Sequence, residues 1–134
     1  ELEHGATTMW ENWDAIHPDG AVDKCSFNHY AFGCVGNFLY RRVLGIQNAG
    51  IGYDRILLDP GYGFGLGWAE GSYHSVHGEI RLRWEKTEAS DGSGAAAIKV
   101  SGCIPANTEA ELVLPDGQRE KLGNGAFVKE YIRR

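Results

Sequence analysis

The run Glu79-Ile80-Arg81-Leu82-Arg83-Trp84-Glu85 alternates charge and apolar bulk at every step. Side chains on an extended strand leave the backbone on alternate sides, so Ile80, Leu82 and Trp84 face one way and the four charged residues the other. Only a sheet with one face on a core and the other in water accommodates that pattern. Residues 55–59, 69–76, 97–103, 109–114 and 127–132 repeat the texture in shorter form and are further strand candidates. Turn signals separate them: Pro60, His77-Gly78, the loop 90–94, Pro115-Asp116-Gly117 and Gly123-Asn124-Gly125. The 19 glycines among 134 residues, roughly twice the usual share, suit a chain that turns this often. Short antiparallel strands of this kind predict a β-sandwich. Its core should include Ile80, Leu82, Trp84, Ile98, Val100, Leu112 and Leu114, and it should fold from Ile51 onward without the preceding residues.

Ahead of residue 48 the periodicity is helical. Tyr30 or Ala31, Val35, Phe38, Leu39 and Val43 follow i, i+3, i+4 spacing and predict a long helix over residues 27–44. Ser26 or Asn28 can cap its start, and Arg41, Arg42 and Gly45 mark its end. Gly33 and Gly36 inside it each cost up to about 1 kcal/mol, which predicts close packing against another helix or backbone. Thr8-Met9-Trp10-Glu11 has the form of a capping box and predicts a short helical turn, stopped by His17-Pro18-Asp19-Gly20. One long and one short helix cannot bury such an apolar stripe between them, so this half reads as cut from something larger. The expected fold is mainly β, an antiparallel β-sandwich preceded by one long and one short helix. The expected division is residues 1–48 and 49–134.

Charge and composition exclude several functions. Thirteen Lys and Arg against 18 Asp and Glu leave a net charge of -5, which repels phosphate backbones and anionic lipid. Nucleic acid is therefore not an expected partner, and no apolar run reaches the length of a membrane span. The first five residues lack the basic start and apolar centre of a signal peptide, so the sequence as read carries no address and leaves localisation open. Cys25, Cys34 and Cys103 fit neither a disulfide framework nor a metal knuckle and are expected to be buried thiols. His74, His77 and Glu79 are separated by a turn and by opposite strand parity, so no metal and no cofactor is expected. Residues 61–67 lack the strand-to-helix setting of a phosphate loop and read as a plain loop.

Two clusters could carry chemistry. Trp10-Glu11-Asn12-Trp13-Asp14 sets carboxylates among indoles, whose faces can stack on the C–H faces of sugars. The plainer reading makes Glu11 a capping-box acid and the tryptophans core residues. His29 in Ser26-Phe27-Asn28-His29-Tyr30 could hydrogen-bond a hydroxyl ligand or serve structure alone.

These residues also carry a family resemblance. Residues 5–14 (Gly-Ala-Thr-Thr-Met-Trp-Glu-Asn-Trp-Asp), followed by Ser26-Phe27-Asn28-His29-Tyr30-Ala31-Phe32-Gly33 and Ile104-Pro105-Ala106-Asn107-Thr108, resemble the C-terminal end of bacterial α-L-rhamnosidases. The likeness extends over essentially the whole chain, in the order of three separate motifs. It implies that residues up to about 48 are the last helical elements of an α/α toroid catalytic domain and the rest a C-terminal β-sandwich. It further implies that Glu11 is the general base of an inverting hydrolysis and that His29 lines the rhamnose subsite, with Trp10 and Trp13 shaping the pocket. Rhamnose-containing glycosides would be the substrates, and an upstream catalytic segment the source of the general acid. Asp14, one helical turn from Glu11, would lie too close to leave room for sugar and water between them. The chain alone would then be inert. A different class of function is a non-catalytic carbohydrate-binding module using Tyr62, Phe64, Trp68 or Tyr73, or a structural module that caps the toroid.

Overall fold

Two four-stranded sheets carry the alternation read from the sequence. A computed structural model describes residues 1–132, with Phe32 described by its backbone. The strands are β1 (Ile46–Asn48), β2 (Arg55–Leu58), β3 (Trp68–Ser75), β4 (Gly78–Glu88), β5 (Ala96–Ile104), β6 (Glu109–Val113), β7 (Arg119–Leu122) and β8 (Gly125–Ile132). One sheet has the order β1-β2-β6-β7 and the other β3-β4-β5-β8. The second is antiparallel throughout, with Trp84 of β4 opposite Ala69 of β3 and Val100 of β5. The first departs from the antiparallel expectation at one pair: β2 and β6 run parallel, Ile56 opposite Ala110 and Leu58 opposite Leu112. β3, β4 and β5 intervene in sequence between them and supply the long crossover that a parallel pair needs.

The residues divide into two compact units, 1–38 and 39–134. The larger unit is the sandwich, whose core is Ile46, Ile56, Leu58, Ile80, Leu82, Trp84, Ile98, Val100, Ile104, Ala110 and Leu112, with Leu44. Burying side chains of this kind is worth about 1.5–3 kcal/mol each, which makes this cluster the main source of the unit's stability. The predicted core residues are all in it except Leu114, which packs against it half-buried. The starting point at Ile51 is corrected, because Leu44, Ile46 and the edge strand β1 belong to the sandwich. β1 has only three residues and β7 is charged at three of its four positions, so neither carries an apolar strand signal in the sequence.

Leu44 ends a helical run and turns directly into the core. Gly45 then adopts φ +101, and a Cβ there would lie 2.5 Å from Asp59 C and Pro60 N, so the chain can pass only as glycine. Asp59 N–H donates to Gly45 O at 2.8 Å and seals the crossing. Gly71 on β3 likewise leaves space for Leu44, whose Cδ2 would be 2.8 Å from a Cβ at that position.

The helical half differs from its expectation in detail. In place of one helix over residues 27–44 there are α1 (Tyr30–Gly33), a turn at Cys34, α2 (Val35–Phe38) and a π-helical segment Leu39–Leu44. The hydrogen bonds change span accordingly: Cys34 N–H to Tyr30 O, Asn37 N–H to Cys34 O and Gly45 N–H to Tyr40 O. Gly33 and Gly36 flank the break and face open space, not another backbone, so they weaken the helix without repaying the cost through packing. Residues 8–14 form bends and a turn, and the short helix present is a 3-10 turn at Leu2–His4. The capping box does not form because the Thr8 hydroxyl donates to Phe27 O, a partner distant in sequence. The cysteines are free, as expected, but Cys34 is exposed and Cys25 and Cys103 are half-buried.

Candidate functional site

In the unit 1–38, two segments that sequence spacing treats as separate run side by side. Thr8 Oγ donates to Phe27 O, Glu11 N–H to Ser26 O at 2.8 Å, and His29 N–H to Met9 O at 2.7 Å. Glu11 and His29 are thereby brought to neighbouring positions along one backbone seam. Ser26 completes the pairing from the other side, its N–H donating to Glu11 Oε2 at 2.8 Å. Glu11 thus has its main chain and one carboxylate oxygen fixed by the same residue. The side chain is exposed, which leaves the second oxygen within reach of water. This arrangement gives a positioned acceptor suited to general-base chemistry.

The two tryptophans part company. Trp10 is 5% exposed and forms the centre of this unit, with the Phe27 ring edge-on at 4.7 Å and His4 stacked at 6.3 Å. Trp13 is 68% exposed. The His29 ring stacks on Tyr30 with centroids 6.0 Å apart. Residues 11–14 are not helical, so the one-turn spacing that sets Asp14 against Glu11 loses its premise.

Sequence reasoning missed the brace next to Glu11. Ile16 and Val22 form an isolated bridge closed by the Pro18-Asp19-Gly20 turn, which brings Asp23 back toward residue 12. Asp23 Oδ1 lies 2.9 Å from His17 Nε2, and Asn12 Nδ2 donates to Asp23 Oδ2 at 3.4 Å. The hydrogen bond with His17 holds the Asp23 carboxyl below its ordinary value. Asn12 is thereby tied down one residue from Glu11. The turn signal was visible in the sequence, but nothing local pairs residues 12, 17 and 23. Among the described residues, no group of three His, Cys, Asp or Glu side chains is placed to hold a metal ion. His74 and Glu79 of the sandwich stand opposite each other in the β3–β4 register, 3.9 Å apart.

Residues 1–43 match the bacterial alpha-L-rhamnosidase 6 hairpin glycosidase domain, and residues 45–127 match the bacterial alpha-L-rhamnosidase C-terminal domain. An alpha-L-rhamnosidase of Streptomyces avermitilis is 35% identical over 133 residues, which are 96% of this chain and 12% of that protein. One of Alteromonas sp. is 34% identical over 120 residues, 85% of this chain and 12% of that protein. The crystal structure of the Streptomyces avermitilis alpha-L-rhamnosidase complexed with L-rhamnose is similar with a TM-score of 0.73 at 30% identity, over 97% of this chain and 14% of that one. A helical unit bearing a carboxylate beside indoles, followed by a β-sandwich, is thus the end of a glycoside hydrolase architecture. The chain belongs to the bacterial α-L-rhamnosidase family, and it spans 12% of the length of the relatives it matches.

Proposed function

We propose that this chain is the C-terminal part of an inverting glycosidase that releases terminal α-L-rhamnose, with Glu11 as its general base. Residues 1–43 are on this reading the last elements of an α/α toroid catalytic domain, and the C-terminal β-sandwich begins at the core residue Leu44. Glu11 takes a proton from water as the water oxygen attacks the anomeric carbon, and the glycosidic bond breaks on the opposite side of the ring. An acid on an upstream segment returns a proton to the departing oxygen, at a separation from the base of roughly 6.5–9.5 Å. His29 lines the rhamnose subsite, with Trp10 and Trp13 shaping the pocket. The observation that carries the reading is the two-way pairing of Glu11 with Ser26, which fixes one carboxylate oxygen and leaves the other to hold water.

The same reading makes the chain inert by itself and dependent on an upstream catalytic segment. Apolar residues at helical spacing support that dependence. Tyr30 is 83% exposed, and Val35 and Phe38 are also exposed, although their pattern is that of a helix face made for burial. Only Trp10 and Ala15 are buried apolar residues among the described side chains of this unit.

In the complete enzyme, Glu11→Gln should leave folding nearly untouched, since the amide oxygen can still accept the Ser26 N–H, yet lower turnover by about 100-fold or more. Azide should restore part of the rate by attacking in place of the activated water, giving a rhamnosyl azide of inverted configuration. The isolated chain should show no turnover of rhamnosides with good or poor leaving groups. Near-full turnover in the Glu11→Gln enzyme would remove Glu11 from the mechanism.

A further inference from the structure

One face of the β3-β4-β5-β8 sheet, within the unit 39–134, carries an organised set of charged and polar side chains. In the strand register, Glu70, Arg83 and Ser101 stand in one row and Ser72, Arg81 and Cys103 in the next. They line an open groove of about 530 Å³. Trp68 stands in the adjoining row, opposite Glu85 and 59% exposed. The Arg83 guanidinium lies 5.2 Å from the Trp68 ring centroid. It is fixed there by Glu70 at 2.6 Å and Glu85 at 2.7 Å, one carboxylate on each terminal nitrogen. The indole is therefore held in one orientation by a cation on its face, while more than half of it remains in water.

The chemistry of the groove selects its occupant. Arg83 is already paired twice and Arg81 is paired with Glu79 at 3.1 Å, so neither arginine of the groove is left over for a phosphate or a carboxylate ligand. The apolar side chains Ala126, Phe127 and Val128 line the β8 margin, a narrower strip than an apolar helix presents, and Glu70, Ser72, Arg81, Arg83 and Ser101 rise from β3, β4 and β5 beside it. What remains is an aromatic plane beside hydroxyls, carboxylate lone pairs and guanidinium N–H groups, at a volume within the roughly 300–1,000 Å³ of small-molecule sites. We propose that this face is a second, non-catalytic sugar subsite that takes a neutral pyranose stacked on Trp68, with the ring hydroxyls bonded to Arg83, Glu70 and the serines.

The test is a titration of the intact chain, labelled with nitrogen-15, with methyl α-L-rhamnopyranoside and in a separate arm with methyl α-D-glucopyranoside, followed by amide shifts. At least one sugar should give saturable shifts centred on residues 68–72 and 81–85. Trp68→Ala should weaken that binding by at least about tenfold, and Trp68→Phe by less, while Trp13→Ala and Glu11→Gln leave it unchanged. Thermal melts of the Trp68 variants should match the parent chain, which separates lost binding from lost folding. Absence of saturable shifts with both sugars would overturn the proposal and leave the face to a protein partner. Binding that survives Trp68→Ala but is lost in Trp13→Ala would also overturn it, and would place the sugar at the Glu11 unit instead.

Discussion

Replacing Trp84 by Phe separates the energy of one buried donor from that of the sandwich core as a whole. Trp84 has no exposed surface, and the Tyr62 ring meets it edge-on at 5.7 Å. Its indole N–H donates to Val43 O at 3.1 Å, which ties the π-helical segment Leu39–Leu44 to β4. Phenylalanine retains an aromatic ring but deletes the donor and part of the indole volume. The lost hydrogen bond costs about 0.5–1.5 kcal/mol; Val43 O keeps its second donor, the Gly61 N–H at 3.1 Å, so the acceptor is not orphaned. The void adds on the order of 1–2 kcal/mol, less than a full truncation to alanine would. A total of about 1.5–3.5 kcal/mol, at roughly 4–8 °C per kcal/mol for a domain of this size, predicts a drop in Tm of roughly 6–28 °C. Thermal unfolding followed by near-UV circular dichroism measures it. Trp68→Phe, on the opposite face and largely in water, should stay within about 0.5 kcal/mol of the parent. A shift of under about 3 °C for Trp84→Phe would refute the claim that this indole fastens the helical tail to the sheet.

A chain trimmed to residues 39–134 should melt cooperatively at a temperature close to the sandwich transition of the full chain, whereas one beginning at Ile51 should be strongly destabilised, because it lacks core residues Leu44 and Ile46 and the strand β1; equal melting temperatures for the two would contradict the core assignment. Glu120 titrates below its ordinary value of 4.5 because Lys129 and the Tyr131 hydroxyl bond its carboxylate. A depressed carboxyl contributes stability above that ordinary value and loses it as pH falls through the folded one. Glu120→Gln should therefore be the less stable protein near neutrality, with the gap closing in acid; a gap that stays constant with pH would show the ion pair to be irrelevant.

The sandwich was legible because each of its strands meets its partners within the chain. The alternation at residues 79–85 names the inward residues of β4 correctly, and Ile98, Val100 and Leu112 follow by the same rule. What stayed hidden there has two physical causes. β1 has only three residues and β7 is charged at three of its four positions, and strand direction leaves no mark on alternation, so the parallel pairing of β2 with β6 could not be read. The π-helical segment Leu39–Leu44 runs into Gly45, which crosses Asp59 at a close approach set by tertiary structure and invisible to local periodicity.

The Glu11 unit fails in the opposite direction, and the failure bears on its function. Its local signals were strong: a capping box, a helix face, glycines suited to close packing. The capping box loses to a hydrogen bond from Thr8 to Phe27, and the helix face and the glycines stay in water. A sequence encodes the environment in which it was selected, so apolar residues at helical spacing that end exposed specify a surface the chain does not itself supply. Residues 8–29 still hold a defined arrangement, because the bonds from Glu11 to Ser26, His29 to Met9 and Asn12 to Asp23 are internal to the unit. The arrangement around Glu11 is thus built within this piece, while Tyr30 and Val35 stand exposed. On the proposed reading, this piece contributes the base and an upstream segment the acid.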